Sequence, residues 1–201
     1  MWEIIQAAGW PIWPLIFASI IALAIIGERF WALRTSVVAP PTLLPEVQKN
    51  LKQGGFSKET CERLKQHSLL GEIFSSALLN VDSSREVTKE AIEESGRAVV
   101  HKLEKYLTTL GTIATVSPLL GLLGTVIGMV ELFGAFTATG HDVAQFARGI
   151  SVALYNTAAG IVVAVPAMIF YRYFRGKIDS LIVDMEQQAL KLVEVIHGNR
   201  K

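Results

Sequence analysis

Three stretches of the chain carry no charged residue: Ile4–Gly27, Tyr106–Val130 and Gly149–Tyr171, which are 24, 25 and 23 residues long. A helix needs about 20 mainly apolar residues to cross the hydrocarbon core of a bilayer, so each stretch is long enough. A buried helix of a soluble protein rarely runs that far without a charge. In lipid every backbone polar group must be satisfied internally, which leaves helices and closed barrels, and these runs are too long for barrel strands. The expectation is an all-α integral membrane protein with three transmembrane helices, the second and third long and extending into the cytoplasm. Hydrophobic residues make up 51% of the 201 residues. That fraction alone would not separate membrane from soluble proteins; the clustering of the charges does.

The positive-inside rule orients the spans. Of the 19 Lys and Arg residues, 18 fall on one side, in the loop after span one, in the C-terminal tail and, as Arg29 and Arg172, at the ends of the spans that adjoin them; only Arg148 lies in the short connector. The sequence therefore divides into seven parts. Residues 1–9 form a periplasmic interfacial segment, 10–33 transmembrane helix 1 and 34–105 a cytoplasmic helical loop. Residues 106–136 form transmembrane helix 2, 137–148 a periplasmic hairpin, 149–174 transmembrane helix 3 and 175–201 a cytoplasmic C-terminal helix. The protein is expected in the bacterial inner membrane, with the N-terminus periplasmic and the C-terminus cytoplasmic. Span one is read as a retained helix rather than a signal peptide, because Met1-Trp2-Glu3 supplies no basic n-region. Trp10, Trp13, Phe30, Trp31, Phe133, Phe136, Phe146, Phe170, Tyr171, Tyr173 and Phe174 gather at the expected interfaces.

Within the loop, Pro40, Pro41 and Pro45 are expected to break any helix leaving the membrane, and Gly54-Gly55 is a second break. Ser83-Ser84-Arg85-Glu86 reads as a capping box. It opens a helix carrying Val87, Ala91, Ile92, Val99 and Leu103, which is expected to run straight into span two. In the tail, Ile178, Leu181, Ile182, Met185, Ala189, Leu192, Val193 and Ile196 form an apolar stripe. So small a soluble region has little core of its own. The stripe is expected to pack both on the chain's own loop helix and between copies of the chain.

Nothing points to an enzyme. There is no phosphate loop, no nucleophile–base pair and no paired carboxylates on a pocket. Cys61 is the only cysteine, and His67, His101, His141 and His197 lack ligand spacing, so neither a metal nor a cofactor is expected. A net charge of +1 gives no reason to expect nucleic acid.

Spans two and three differ in kind from the bulky, lipid-suited span one. At about 100° per residue, Ser117, Gly121, Gly124, Thr125 and Gly128 share one face of span two. Gly149, Ala153, Asn156, Thr157, Gly160 and Ala164 share one face of span three, and Pro118 and Pro166 are candidate kink sites. Small residues at such spacing let membrane helices approach closely, which accounts for the glycines. It accounts less well for Asn156 and Thr157, since adjacent polar groups in mid-membrane need partners or water. They suggest a polar seam or a pore. No ionisable side chain lies in the middle of either span; Glu131 is the nearest, and Glu28 beside Arg29 suits a local ion pair or an interfacial position. If the chain serves proton flow, a partner must bring the titrating group.

These residues resemble the MotA/TolQ/ExbB proton-channel family, most closely its ExbB/TolQ branch. The likeness rests on Ser117-Pro118-Leu119-Leu120-Gly121-Leu122-Leu123-Gly124-Thr125-Val126 in span two. In span three it rests on Ala153-Leu154-Tyr155-Asn156-Thr157-Ala158-Ala159-Gly160 and Ala164-Val165-Pro166-Ala167. Glu28-Arg29 with Leu33-Arg34 matches the exit of span one, and three spans rather than four argue against a flagellar stator. The resemblance implies a homopentamer around the single helices of an ExbD- or TolR-type partner, whose membrane aspartate carries the proton. Proton motive force would then drive motion passed to TonB and so to transport across the outer membrane. Thr125 and Thr157 match the family's pore-facing threonines; Asn156 and Ser117 join them as candidate proton-pathway residues. Gly121, Gly124, Gly128, Gly149, Gly160, Pro118 and Pro166 are expected to shape the packing. The sequence departs at Val152, where the family often has glutamate. A TolQ-like subunit of the Tol-Pal system and a passive membrane scaffold are the alternatives.

Overall fold

A computed structural model describes residues 9–52, 57–139 and 143–198; the side chains of residues 52, 135–139, 143–146, 148 and 152 lie outside that description. Phe136, Phe146, Arg148, Val152, His141 and the Gly54-Gly55 break therefore fall outside it as side chains or altogether. Among the described residues the chain is all-α, with eight helices: α1 Ile12–Ala32, α2 Thr35–Val38, α3 Leu43–Lys52, α4 Lys58–His67, α5 Leu69–Leu79, α6 Arg85–Leu103, α7 Leu107–Thr139 and α8 Val143–Ile196. Three helical segments are long and apolar enough to span a membrane, and only 28%, 22% and 29% of their most apolar windows are buried. A soluble core helix would be mostly covered. These leave large apolar side chains such as Phe17, Ile20, Leu122, Val126, Val162 and Ile169 on the outside, as lipid requires.

The chain forms two compact units, Met1–Glu28 with Tyr106–Tyr173, and Arg29–Lys105 with Phe174–Lys201. In the first, the buried positions recur at three- and four-residue steps on α7 and α8 and, with a seven-residue gap, on one side of α1. On α1 they are Ile12, Leu15, Ala22, Ile25 and Ile26; on α7, Leu107, Leu110, Ala114, Ser117, Gly121 and Gly124; on α8, Ala153, Asn156, Gly160, Ala164 and Ala167. That spacing puts one stripe of each helix inward. Pro118 and Pro166 lie inside continuous helices. Tyr171 packs its ring over Gly111, where an added Cβ would stand 3.1 Å from it.

The second unit is built on α5. Leu70, Ile73, Phe74, Ala77 and Leu78 are buried on it, with Val38, Leu43, Val47, Cys61, Val99 and Leu103 from the neighbouring helices. The tail stripe joins this core: Phe174, Ile178, Leu181, Met185, Ala189, Leu192 and Val193 are buried. Phe174 is only 1% exposed and meets Phe30 edge to face at 5.2 Å, so it belongs to a core rather than to an interfacial belt.

Three local expectations are corrected. The loop helix does not run straight into span two. It ends at Leu103, and Tyr106 takes a positive φ of 64° before α7 begins. A non-glycine residue there is strained. The C-terminal end of α6 is held from within its own unit. The buried Arg29 guanidinium donates to the Leu103 carbonyl at 3.1 Å, meeting the negative end of α6. Arg175 bridges Glu104, the C-cap, at 2.6 Å. Second, the cap of α6 is Ser84, not Ser83. Its hydroxyl accepts from the Val87 amide at 3.4 Å, so Glu86 falls one place short of the capping-box position. Third, α1 ends at Ala32, ahead of the prolines, and Pro45 sits inside the first turn of α3, where its missing N–H leaves no gap.

Candidate functional site

The inward stripes of α7 and α8 meet through their smallest residues. A Cβ added to Gly121 would stand 2.7 Å from the Asn156 carbonyl oxygen and 3.1 Å from the Thr157 Cα. One added to Gly160 would stand 2.6 Å from the Ser117 carbonyl oxygen and 3.1 Å from the Gly121 Cα. The two distances to carbonyl oxygens are too short for any real Cβ, so backbone lies directly on backbone here. At Gly124 the obstruction is the Asn156 side chain, with its Cβ 2.7 Å away. Gly128 sits over Ala153 at 3.3 Å, and Gly149 faces the Leu132 side chain.

This approach carries the polar groups with it. Ser117 is 1% exposed and Asn156 2%, so in a single copy of the chain both lie inside the seam rather than on an open face. Ser117 Oγ has no hydrogen-bond partner among the described residues. Thr157, half-buried at the seam's edge, donates from Oγ1 across to the Gly121 carbonyl at 3.4 Å, a bond that a Cβ at Gly121 would disturb. Thr125 is half-buried, and its hydroxyl donates back along α7 to the Leu122 carbonyl at 2.7 Å. Local back-bonding of this kind satisfies a hydroxyl in lipid without a tertiary partner. Thr125 and Thr157 thus border the seam that Ser117 and Asn156 occupy. Glu131 is exposed near the far end of α7. Chemically the seam offers hydroxyl and amide groups that bind and orient water or a carboxyl; it offers no titrating group among the described residues.

The period of the sequence marks these faces but not what covers each of them. It also gave no notice of the Tyr171–Gly111 contact or of Arg29 as a helix cap. An arginine two residues past an uncharged span was the available signal for the latter.

Residues 65–187, more than half of the chain, match the model of the MotA/TolQ/ExbB proton channel family. The chain belongs to this family. Biopolymer transport protein exbB1 of Vibrio cholerae is 31% identical to it over 170 residues, 81% of this chain and 74% of that protein. An ExbB-like protein of Synechocystis is 33% identical over 85% of this chain and 83% of its own length. A protein named as an ExbB homolog in Methanothermobacter thermautotrophicus is 34% identical over 79% of this chain, and the match spans 57% of that relative's length. The Tol-Pal system protein TolQ of Haemophilus influenzae is 27% identical over 91% of this chain and 86% of its own. Family membership and three candidate spans make this a multi-pass inner-membrane protein.

Proposed function

We propose that the chain is the proton-channel subunit of an ExbB–ExbD-type motor, which couples proton motive force to TonB-dependent transport across the outer membrane. The observation that carries this reading is the α7–α8 seam. Its hydroxyl and amide groups lie in two membrane-long helices, yet no ionisable group accompanies them among the described residues. A conduit of that composition needs a carboxylate from elsewhere, and a single-span ExbD- or TolR-type partner with a membrane aspartate supplies one. Thr125 and Thr157 are the residues that meet it, ordering water or bonding the carboxyl. Asn156 and Ser117 hold the polar lining behind them, and the glycines with Pro118 and Pro166 set how closely the helices run. Five copies surround the partner, with the N-terminus periplasmic, the 34–105 loop and the tail from residue 175 cytoplasmic, and the 137–148 hairpin periplasmic.

Native mass spectrometry of the complex, extracted from its own membrane in mild detergent, tests the assembly. A five-fold ring with a small aspartate-bearing single-span protein is expected; a lone monomer or dimer overturns the reading. The TolQ-like role in the Tol-Pal system is the second reading, favoured by the Haemophilus relative's coverage of 91% of this chain. The identity of the co-purifying partner separates the two.

A further inference from the structure

We propose that Trp31, Arg34, Thr35 and Lys177 form a binding site for the headgroup phosphate of an acidic phospholipid. The sequence places an indole, a guanidinium and a hydroxyl within five positions directly after the apolar run of α1. In the structure Arg34 lies with its guanidinium carbon 4.4 Å above the centre of the Trp31 ring. Lys177, from α8, donates from Nζ to Thr35 Oγ1 at 3.3 Å. Thr35 follows Arg34 directly in the chain, so the Lys177 contact brings the second cation to the residue next to the first.

The neighbouring cation on α8, Arg175, is matched by acids, with Glu104 at 2.6 Å and Asp179 at 3.8 Å. Among the described residues neither Arg34 nor Lys177 has a carboxylate within ion-pair distance. Asp179, two places along from Lys177, is the carboxylate that Arg175 reaches. A phosphate accepts from a guanidinium, an ammonium and a hydroxyl at once through separate oxygens. Stacking on Trp31 leaves the edge of the Arg34 guanidinium, where its N–H groups point, free to donate.

The source of the phosphate follows from Trp31. It is 67% exposed at the end of a membrane-spanning helix, the depth at which an indole sits between acyl chains and headgroups. A soluble anion gains nothing from that ring, whereas a lipid covers it with its glycerol and upper acyl carbons. Cations at this level favour lipids with net negative charge.

The test uses the purified complex titrated with phosphatidylglycerol, phosphatidylcholine or inorganic phosphate, with bound lipid read by native mass spectrometry. Wild type is expected to hold phosphatidylglycerol more tightly than phosphatidylcholine. Arg34→Gln combined with Lys177→Gln is expected to weaken phosphatidylglycerol by on the order of tenfold, leaving phosphatidylcholine little changed. Equal phosphatidylglycerol affinity in wild type and double variant overturns the site. So does displacement of the lipid by inorganic phosphate at similar concentration, which would mark a soluble-anion site. If the double variant fails to assemble, Trp31→Leu and Lys177→Gln carry the same test singly, since neither side chain is core; unchanged lipid affinity in both overturns the proposal.

Discussion

Thr157 offers the sharpest single-residue test of the proposed pathway. Valine keeps its shape and β-branch while removing the hydroxyl that donates to Gly121. An interhelical bond of this kind is worth about 0.6 kcal/mol in a membrane, so Thr157→Val should still assemble. Activity driven by proton motive force should nevertheless be lost, as measured by energised uptake in cells whose complex still purifies intact. Retained uptake removes Thr157 from the pathway. A second residue-scale prediction concerns the glycines. Gly121→Ala drives a methyl into the Asn156 carbonyl and the Thr157 Cα, and overpacking of this sort costs about 1–3 kcal/mol. Gly176→Ala meets nothing within 4 Å and should leave thermal stability in detergent unchanged or slightly raised, since alanine is the better helix former.

Among the elements, α6 depends on its two ends. Ser84→Ala removes the hydroxyl that accepts from Val87 and should lower stability by about 1 kcal/mol, read by denaturant titration. The same end binds a carboxylate. The Glu86 carboxyl accepts from its own backbone amide and from the Ser84 hydroxyl, which holds its pKa below the ordinary value. A depressed folded-state pKa contributes stability above the unfolded pKa, near 4.3 for glutamate, and loses it as pH falls through the folded value. Glu86→Gln should therefore flatten the acid limb of the stability profile and leave the neutral region almost unmoved. At the other end, Arg29→Met strips the donor from the buried Leu103 carbonyl. The expected loss is about 1–3 kcal/mol, again by denaturant titration.

The same helix shows where sequence reasoning stopped. Three uncharged runs were enough for the all-α membrane class, because charge-free length is a one-dimensional property. The stripe at Ile178, Leu181 and Met185 was legible for the same reason: a period of three and four is visible in a string. The break before α7 was not. Lys105-Tyr106-Leu107 holds no glycine, proline or asparagine to announce the positive φ of Tyr106, and the end of α6 just before it is fixed by Arg29 and Arg175, distant in sequence. The cap at Ser84 was missed by one residue, since two adjacent serines offer the same chemistry and only the helix register chooses between them. At the candidate site, the period placed Ser117 and Asn156 on shared faces but had no means of naming the neighbour, and within one chain that neighbour is the opposite helix.

At the scale of the whole molecule, one thiol reports on the packing of the second unit. Cys61 is 3% exposed, and burial pushes its pKa up. Both effects suppress the thiolate that reacts with maleimides. The folded protein should label much more slowly at neutral pH than the denatured chain, which mass spectrometry of the intact protein reads directly; equal rates would place Cys61 outside the core.

The glycine contact between α7 and α8 also constrains how this protein can change over generations. Where a bulky side chain collides with another side chain, a second mutation that trims the partner restores the fit. Gly149→Ala collides with the Leu132 side chain, and Leu132→Ala or Leu132→Val should rescue it in a suppressor screen. Gly121 and Gly160 have no such escape. Each closest obstruction is a main-chain carbonyl, of Asn156 for one and of Ser117 for the other, and no codon alters a main-chain carbonyl. Suppressors of Gly121→Ala should accordingly return as true revertants, or as distant changes that shift a whole helix, and not as replacements at the residue opposite.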